Sequence, residues 1–146
     1  MIRVAVQAEG FDPGAELTAL EALGGGGIAS FTGIVRADDG LEALHLDHYP
    51  AMTQAQLEKV AGEAGSRWPL LGLTIIHRFG TLKVGERIVF VGTASESRVP
   101  ALEACAFLID WLKVAAPFWK REIRADGSGQ WVEAKAVDDV RAGRWK

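Results

Sequence analysis

Lys113 and Lys120 stand on either side of Pro117, inside the stretch Phe-Leu-Ile-Asp-Trp-Leu-Lys-Val-Ala-Ala-Pro-Phe-Trp-Lys-Arg-Glu that runs from residue 107 to 122. Leu102, Cys105, Ile109 and Leu112 recur at spacings of three and four, which predicts a helix through the first half of that stretch. Pro117 ends it, because its ring collides with the carbonyl four residues back and it offers no N–H. Lys113 is therefore expected in the last helical turn and Lys120 beyond the break. Trp111, Phe118 and Trp119 are large enough to keep water from an ammonium group. The helix dipole favours the charged form of Lys113, whereas desolvation and the neighbouring Lys120 and Arg121 favour the neutral amine. A lysine between those pulls can give or take a proton. A helix end dressed with solvated lysines is the other reading, and these residues alone leave both open.

Beyond the lysines, arginines at the ends of expected elements, Arg36, Arg98 and Arg121, complete a basic set. Brought together by the fold, they would bind an anionic small molecule, with the guanidinium fork suited to phosphate. Other chemistry finds little support. Cys105 lies on the apolar side of its helix and reads as packing. His45 and His48 fall on opposite faces of a strand and His77 stands alone in another, so structural histidines are expected and no metal site. Asp38-Asp39 and Asp138-Asp139 are adjacent acids of the sort usually solvated in turns and tails. Gly24–Gly27 lacks the Gly-Lys-Ser/Thr of a phosphate loop and reads as a helix end with a flexible turn.

Composition sets the outer bounds. A chain of 146 residues, 49% hydrophobic and 24% charged, suits one core and is short for two domains, so a single domain over 1–146 is expected. A net charge of −3 with scattered basic residues gives no general pull on nucleic acid, so any anion site must be local. One cysteine precludes an intrachain disulfide and fits a reducing cytoplasm. No run approaches the ~20 apolar residues of a membrane span, and Met1–Gly10 does not read as a leader.

The elements that must position the basic set follow from periodicity. Ile2, Val4 and Val6 mark a first strand, and Asp12-Pro13 starts a helix carrying Leu17, Leu20 and Leu23 on one side. Ile28–Val35 reads as a strand, Ala37–Gly40 as a turn, and Leu41–His48 as the strand returning in a hairpin. Thr53 with Gln56 fits a capping box, and Met52 with Leu57 a hydrophobic staple, opening a helix that buries Leu57, Val60, Ala61 and Ala64. Strands are expected at Leu73–Phe79 and Arg87–Ala94, joined by a turn around Gly80–Glu86. The lysine-bearing helix follows Ser97-Arg98 and tolerates Pro100 in its first turn. A turn at Asp126–Gly129, a strand at Gln130–Ala134 and a charged tail close the chain. Hairpins interspersed with helices predict an α+β fold with a mainly antiparallel sheet.

Several ordered blocks carry a family resemblance. Phe31–Arg36, His48–Met52, Ile76–Gly80, Leu112-Lys113 and Ala116–Glu122 together resemble the catalytic large subunits of molybdopterin synthase, over about Ile28 to Glu133. The resemblance implies an α/β-hammerhead fold, a homodimer, and a small ubiquitin-like sulfur carrier with a C-terminal Gly-Gly thiocarboxylate at each end of a heterotetramer. It implies sulfurtransferase activity, in which cyclic pyranopterin monophosphate receives two sulfurs and becomes the molybdopterin dithiolene, a step of molybdenum cofactor biosynthesis that needs no cofactor on this chain. By position, Lys113 and Lys120 match the family's catalytic lysines. Ile34, Val35, Arg36, Ser97, Arg98, Lys113, Lys120, Arg121 and Glu122 match its substrate-binding positions. Ser97 stands where family members commonly carry histidine, and a hydroxyl cannot serve as an imidazole acid or base. The rival reading is a non-catalytic subunit whose basic pocket holds a phosphorylated ligand or a partner's C-terminal tail. Lysines gathered in one water-poor pocket favour the enzyme; lysines splayed on an open surface favour the rival.

Overall fold

The computed structural model describes residues 1–38, 40–132 and 136–145. Asp39, in the expected 37–40 turn, Glu133 and Ala134, at the end of the expected last strand, and Lys146 lie outside the described residues, as does the side chain of Asp138. In chain order the elements are β1 (Ile2–Gln7), α1 (Pro13–Glu21), β2 (Gly27–Ile34), β3 (Leu41–His48), α2 (Pro50–Arg67), β4 (Leu70–Arg78), β5 (Gly80–Lys83), β6 (Arg87–Ser95), α3 (Arg98–Ala115), β7 (Phe118–Arg124), β8 (Gly129–Val132) and α4 (Ala136–Gly143). The fold is α+β, as the alternation of patterns predicted. Its strands form two four-stranded sheets, ordered β1-β4-β6-β2 and β5-β3-β7-β8. Among the described residues only β1 and β4 run parallel, and every other pairing is antiparallel.

The central strands β4 and β6 are near-continuous apolar runs because both their faces are covered. Leu73, Ile75, Val89 and Val91 pack under α2 and α3 against Leu57, Ala61, Phe107 and Leu108. Ile76, Phe90 and Ala94, one residue out of phase, pack with Leu20 of α1 on the opposite face. A third cluster of Val35, Leu46 and Leu82 sits with Phe118 and Ile88 where the second sheet meets the first. Among the described residues no helix is long and apolar enough to cross a membrane.

Several expectations are corrected. β2 and β3 form no hairpin: β2 pairs with β6 and β3 with β5 and β7, so the segment between them crosses from one sheet to the other. The supposed 80–86 turn contains β5, an edge strand of the second sheet. α2 starts three residues before the expected cap, at Pro50, whose missing N–H is harmless at a first helical position. The Thr53 hydroxyl is consequently buried without a partner instead of capping the helix. Of the expected apolar face of α3, Cys105 and Leu112 are buried and Ile109 half-buried, but Leu102 is exposed, and Ala101, Ala104, Phe107 and Leu108 are buried beside them. Gly24 does take the left-handed turn conformation (φ 83°), but Gly25 and Gly26 do more than bend. A Cβ on them would stand 2.4 Å from the Ser95 carbonyl oxygen and 2.5 Å from that of Glu96, so glycine lets this segment lie on the backbone after β6.

The tail is not merely charged. α4 follows β8, and Trp145 packs edge-on against both Trp68 and Phe107, with ring centroids 5.6 and 5.7 Å away. Its indole N–H donates to Asp110 Oδ2 at 2.7 Å, and Arg144 donates to the same oxygen at 3.2 Å. α3 is thus held on its outer side by the end of the chain.

Candidate active site

The last turn of α3 and the first residues of β7 face one another across a cleft of about 790 Å³ between the two sheets. Pro117 works as its position predicts: α3 stops at Ala115, leaving Lys113 in the final turn, and the chain re-enters as β7. Strand alternation then sorts the side chains. Phe118, Lys120 and Glu122 face the cleft, while Trp119 and Arg121 point to the other side of the sheet. Lys113 and Lys120 therefore share one cleft, although a helix end and a strand separate them in sequence.

β2 and the segment after it supply a second wall. Ile34 and Arg36 line the cleft together with Phe31 and Gly33. Val35 does not, because its side chain is buried with Leu46 and Leu82. Its backbone is also engaged, N–H to Glu86 and carbonyl to Gly85. Ile88, Val89, Val91, Ile109 and Leu112 make the remaining wall apolar. Three cations, Arg36, Lys113 and Lys120, thus share the cleft with two carboxylates, Asp38 and Glu122. Glu122 is paired with Arg124 at 2.8 Å. A phosphorylated anion would find a guanidinium and two ammonium groups there, with Arg36 and Lys113 exposed at its mouth and Lys120 half-buried.

The remaining sequence-derived site residues lie elsewhere. Ser97 is the residue before α3, making no side-chain cap hydrogen bond, and Arg98 is its first helical residue. At 1.5 Å per residue Arg98 is roughly 22 Å along the helix from Lys113. Arg121 lies over the ring of Trp131 at 5.9 Å, behind the cleft. Of the three rings expected around the lysines only Phe118 is in place: Trp119 packs edge-on to Tyr49 and Trp111 edge-on to Phe107.

Two titratable residues in the cleft were missed by sequence reasoning, Asp38 and His77. Asp38 read as a solvated turn acid. His77 read as an isolated structural histidine, yet its place near the end of the near-continuous apolar run of the central strand β4 marks a buried imidazole at the end of that strand. The His77 ring stacks on Phe118 with centroids 3.9 Å apart and planes 15° from parallel. Nδ1 is 2.9 Å from the Arg78 carbonyl oxygen. Burial above all, with the charges of Lys120 and Lys113 adding to it against the Arg78 hydrogen bond, lowers its pKa from 6.5 to about 3. The ring is therefore neutral at physiological pH. Cys105 is buried, and burial pushes its thiol up to about 11, which leaves it as packing. Among the described residues no three of His, Cys, Asp or Glu gather as a metal site.

Comparison with known proteins identifies the family. The family model for the MoaE protein matches residues 6–115. The molybdopterin synthase catalytic subunit of Pseudomonas aeruginosa is 51% identical, over 98% of both chains. Among solved structures, the molybdopterin biosynthesis MoaE protein of Burkholderia ambifaria superposes with a TM-score of 0.84 at 43% identity, covering 99% of this chain and 98% of that one. A complex of subunits 1 and 2 of the molybdopterin-converting factor from Helicobacter pylori matches with a TM-score of 0.72 at 25% identity, over 92% of this chain and 90% of that one. A match over most of the length, in sequence and in fold, shows that this chain belongs to the MoaE family.

Proposed function

We propose that this chain is the catalytic subunit of a molybdopterin synthase, an enzyme that moves sulfur from a thiocarboxylated carrier protein onto cyclic pyranopterin monophosphate. The observation that carries the reading is the meeting of Lys113 and Lys120 in one apolar-walled cleft beside Arg36. A non-catalytic binding subunit would need the charge but not two amines gathered against one apolar wall.

In this reading the carrier's terminal thiocarboxylate, already an anion at neutral pH, enters beside Lys113. Its sulfur attacks the substrate, the carbon–oxygen bond breaks, and a lysine ammonium gives its proton to the departing oxygen. Water then opens the acyl–sulfur bond and returns the carrier as a carboxylate, and a second carrier repeats the step. Arg36 holds the substrate phosphate and Ile34 packs on its ring. Cys105 takes no part. Glu122, tied to Arg124, keeps its carboxylate on the same wall as Lys120 and orients the donor groups of the pterin.

The chain acts as one domain over 1–146, in the cytoplasm, as a homodimer with one carrier on each subunit. Support for the homodimer lies on β2, an edge strand of its sheet that exposes Ile28, Phe31 and Ile34. Val99 and Leu102 are exposed near the start of the adjoining α3. Such an edge and apolar face call for a cover. A second copy placed there offers Ser97 and Arg98 a route to the neighbouring cleft that they lack within one chain. Arg121, behind the sheet, contributes nothing to substrate binding within its own cleft.

The direct test is to mix the protein with a thiocarboxylated carrier and cyclic pyranopterin monophosphate and to follow dithiolene formation. Product is expected with the thiocarboxylate and none with the carboxylate form of the carrier. Tight binding of the substrate without turnover would leave the binding-subunit reading standing instead.

A further inference from the structure

His77 belongs to the cleft, yet the sulfur transfer described above gives it no task. Its ring is one member of a column that joins the two sheets: Phe79 to His48 at 4.4 Å, His48 to Phe118 at 5.5 Å, and Phe118 to His77 at 3.9 Å. Phe118 stands two residues before Lys120 on the same side of β7, so the ring under Phe118 helps fix where Lys120 emerges. A carbonyl oxygen can only accept, so the contact of Nδ1 with Arg78 places the ring's hydrogen on Nδ1. Nε2 then carries a lone pair, and the residue lines the cleft.

The charged or titratable groups that act on this imidazole are Lys120 from β7, Lys113 from α3 and His48 from β3. Glu122 of β7, with Arg36 and Asp38 from the segment after β2, lines the same cleft. A further positive charge there would repel the two ammonium groups, and burial opposes it. With the ring hydrogen held on Nδ1 by the Arg78 carbonyl, the side of the ring left to the cleft offers an acceptor. An ammonium has three donors on a flexible stem, and one fixed acceptor decides where the other two point.

Building on the function proposed above, we propose that His77 is a positioning residue. Its Nε2 lone pair accepts a hydrogen bond from the Lys120 ammonium group and aims the remaining protons of that group at the departing oxygen, while its stack on Phe118 holds the start of β7.

Two substitutions separate the parts of this role. His77→Phe keeps a ring for the stack and removes the lone pair; His77→Gln supplies an amide oxygen near the position of Nε2. His77→Phe is expected to melt close to the parent and to keep KM, with kcat falling about ten- to a hundredfold. The alkaline limb of its kcat profile should move to lower pH, because the ammonium form of Lys120 loses its acceptor. His77→Gln should recover a clear part of both effects. A His77→Phe protein with parental kcat and an unmoved alkaline limb overturns the proposal, as does a loss that Gln fails to recover. Nitrogen-15 NMR of the full chain gives two readouts that need no turnover, and the first of them needs no variant. The His77 ring should stay in the neutral Nδ1–H form from about pH 5 to about pH 8, and Lys120 should titrate at lower pH in His77→Phe. An Nε2–H ring, an imidazolium, or an unmoved Lys120 titration sinks the assignment. Failure of the parent protein to make dithiolene overturns the function proposed above and leaves these NMR results to judge His77 by themselves.

Discussion

At the scale of single residues, the two lysines differ in how their places are fixed. Lys113 sits in the last turn of α3 and Lys120 in β7, held on a ladder to Leu46 of β3. Lys113→Ala is expected to cut sulfur transfer by about 10²–10⁴-fold, the range of a positioned general acid or base. Lys120→Ala should impair turnover too, though less completely. Kinetics on variants with unchanged melting curves check this, and a loss of only a few-fold at Lys113 would sink its role. His77 yields a second expectation, on stability. The folded ring resists protonation down to about pH 3, whereas the unfolded ring accepts a proton near 6.5. Above 6.5 neither state is protonated and the group adds no pH dependence. Between 6.5 and about 3 only the unfolded chain takes up the extra proton, so stability is lost as the pH falls. The slope from this one group approaches about 1.4 kcal/mol per pH unit. Urea unfolding of the parent and of His77→Phe across that window should show the parent falling more steeply by about that amount. Parallel curves would mean that the ring is not held neutral.

At the scale of elements, what was legible in the sequence is what local physics decides. Pro117 marked the end of α3, Asp12-Pro13 the start of α1, and the spacing of Leu57, Val60, Ala61 and Ala64 the buried face of α2. Pairing was not legible, because ladder partners are chosen by contacts far apart in sequence. Nothing in Ile28–His48 itself says that its two strands belong to different sheets, and β5 is only four residues long. The site divides the same way. Residue type and the proline break singled out Lys113 and Lys120, but their meeting across a cleft depends on β7 pairing with β3. Trp119 and Arg121 were misplaced because period-two alternation was not applied to a stretch that read as whatever follows a helix. The C-terminal element was lost among charges, although it holds α3 from behind through Trp145. Trp145→Ala removes a ring packed on Trp68 and Phe107 and leaves Asp110 with only arginine partners. Its half-buried state suggests a loss of about 2–3 kcal/mol, somewhat below that of a fully buried tryptophan, measurable by urea denaturation. A change under about 0.5 kcal/mol, typical of surface substitutions, would mean that the latch is not part of the folded unit.

At the scale of the whole molecule, one chain makes most of a site and leaves two of its expected parts at the wrong end of a helix. Arg98 begins α3 and Lys113 nearly ends it, so the two cannot serve one substrate within one chain. The exposed edge at β2, with Phe31 and Ile34 lining the cleft mouth, lies beside the α3 start that carries Arg98. A two-fold interface on that face is self-complementary, so whatever one subunit lends to its neighbour it receives in return. Complementation between two inactive variants tests this. Lys113→Ala and Arg98→Ala homodimers should each be severely impaired, since each carries its defect in both clefts. Unfolded and refolded together, half of the dimers become hybrids. In each hybrid one cleft collects both substitutions and the other collects none. Total activity should therefore rise to about a quarter of the parent level, with two-fold symmetry setting that fraction. Mixing without subunit exchange should restore nothing. If the refolded mixture stays at the level of its separate components, each cleft draws Arg98 from its own chain or not at all, and the second copy lends no arginine.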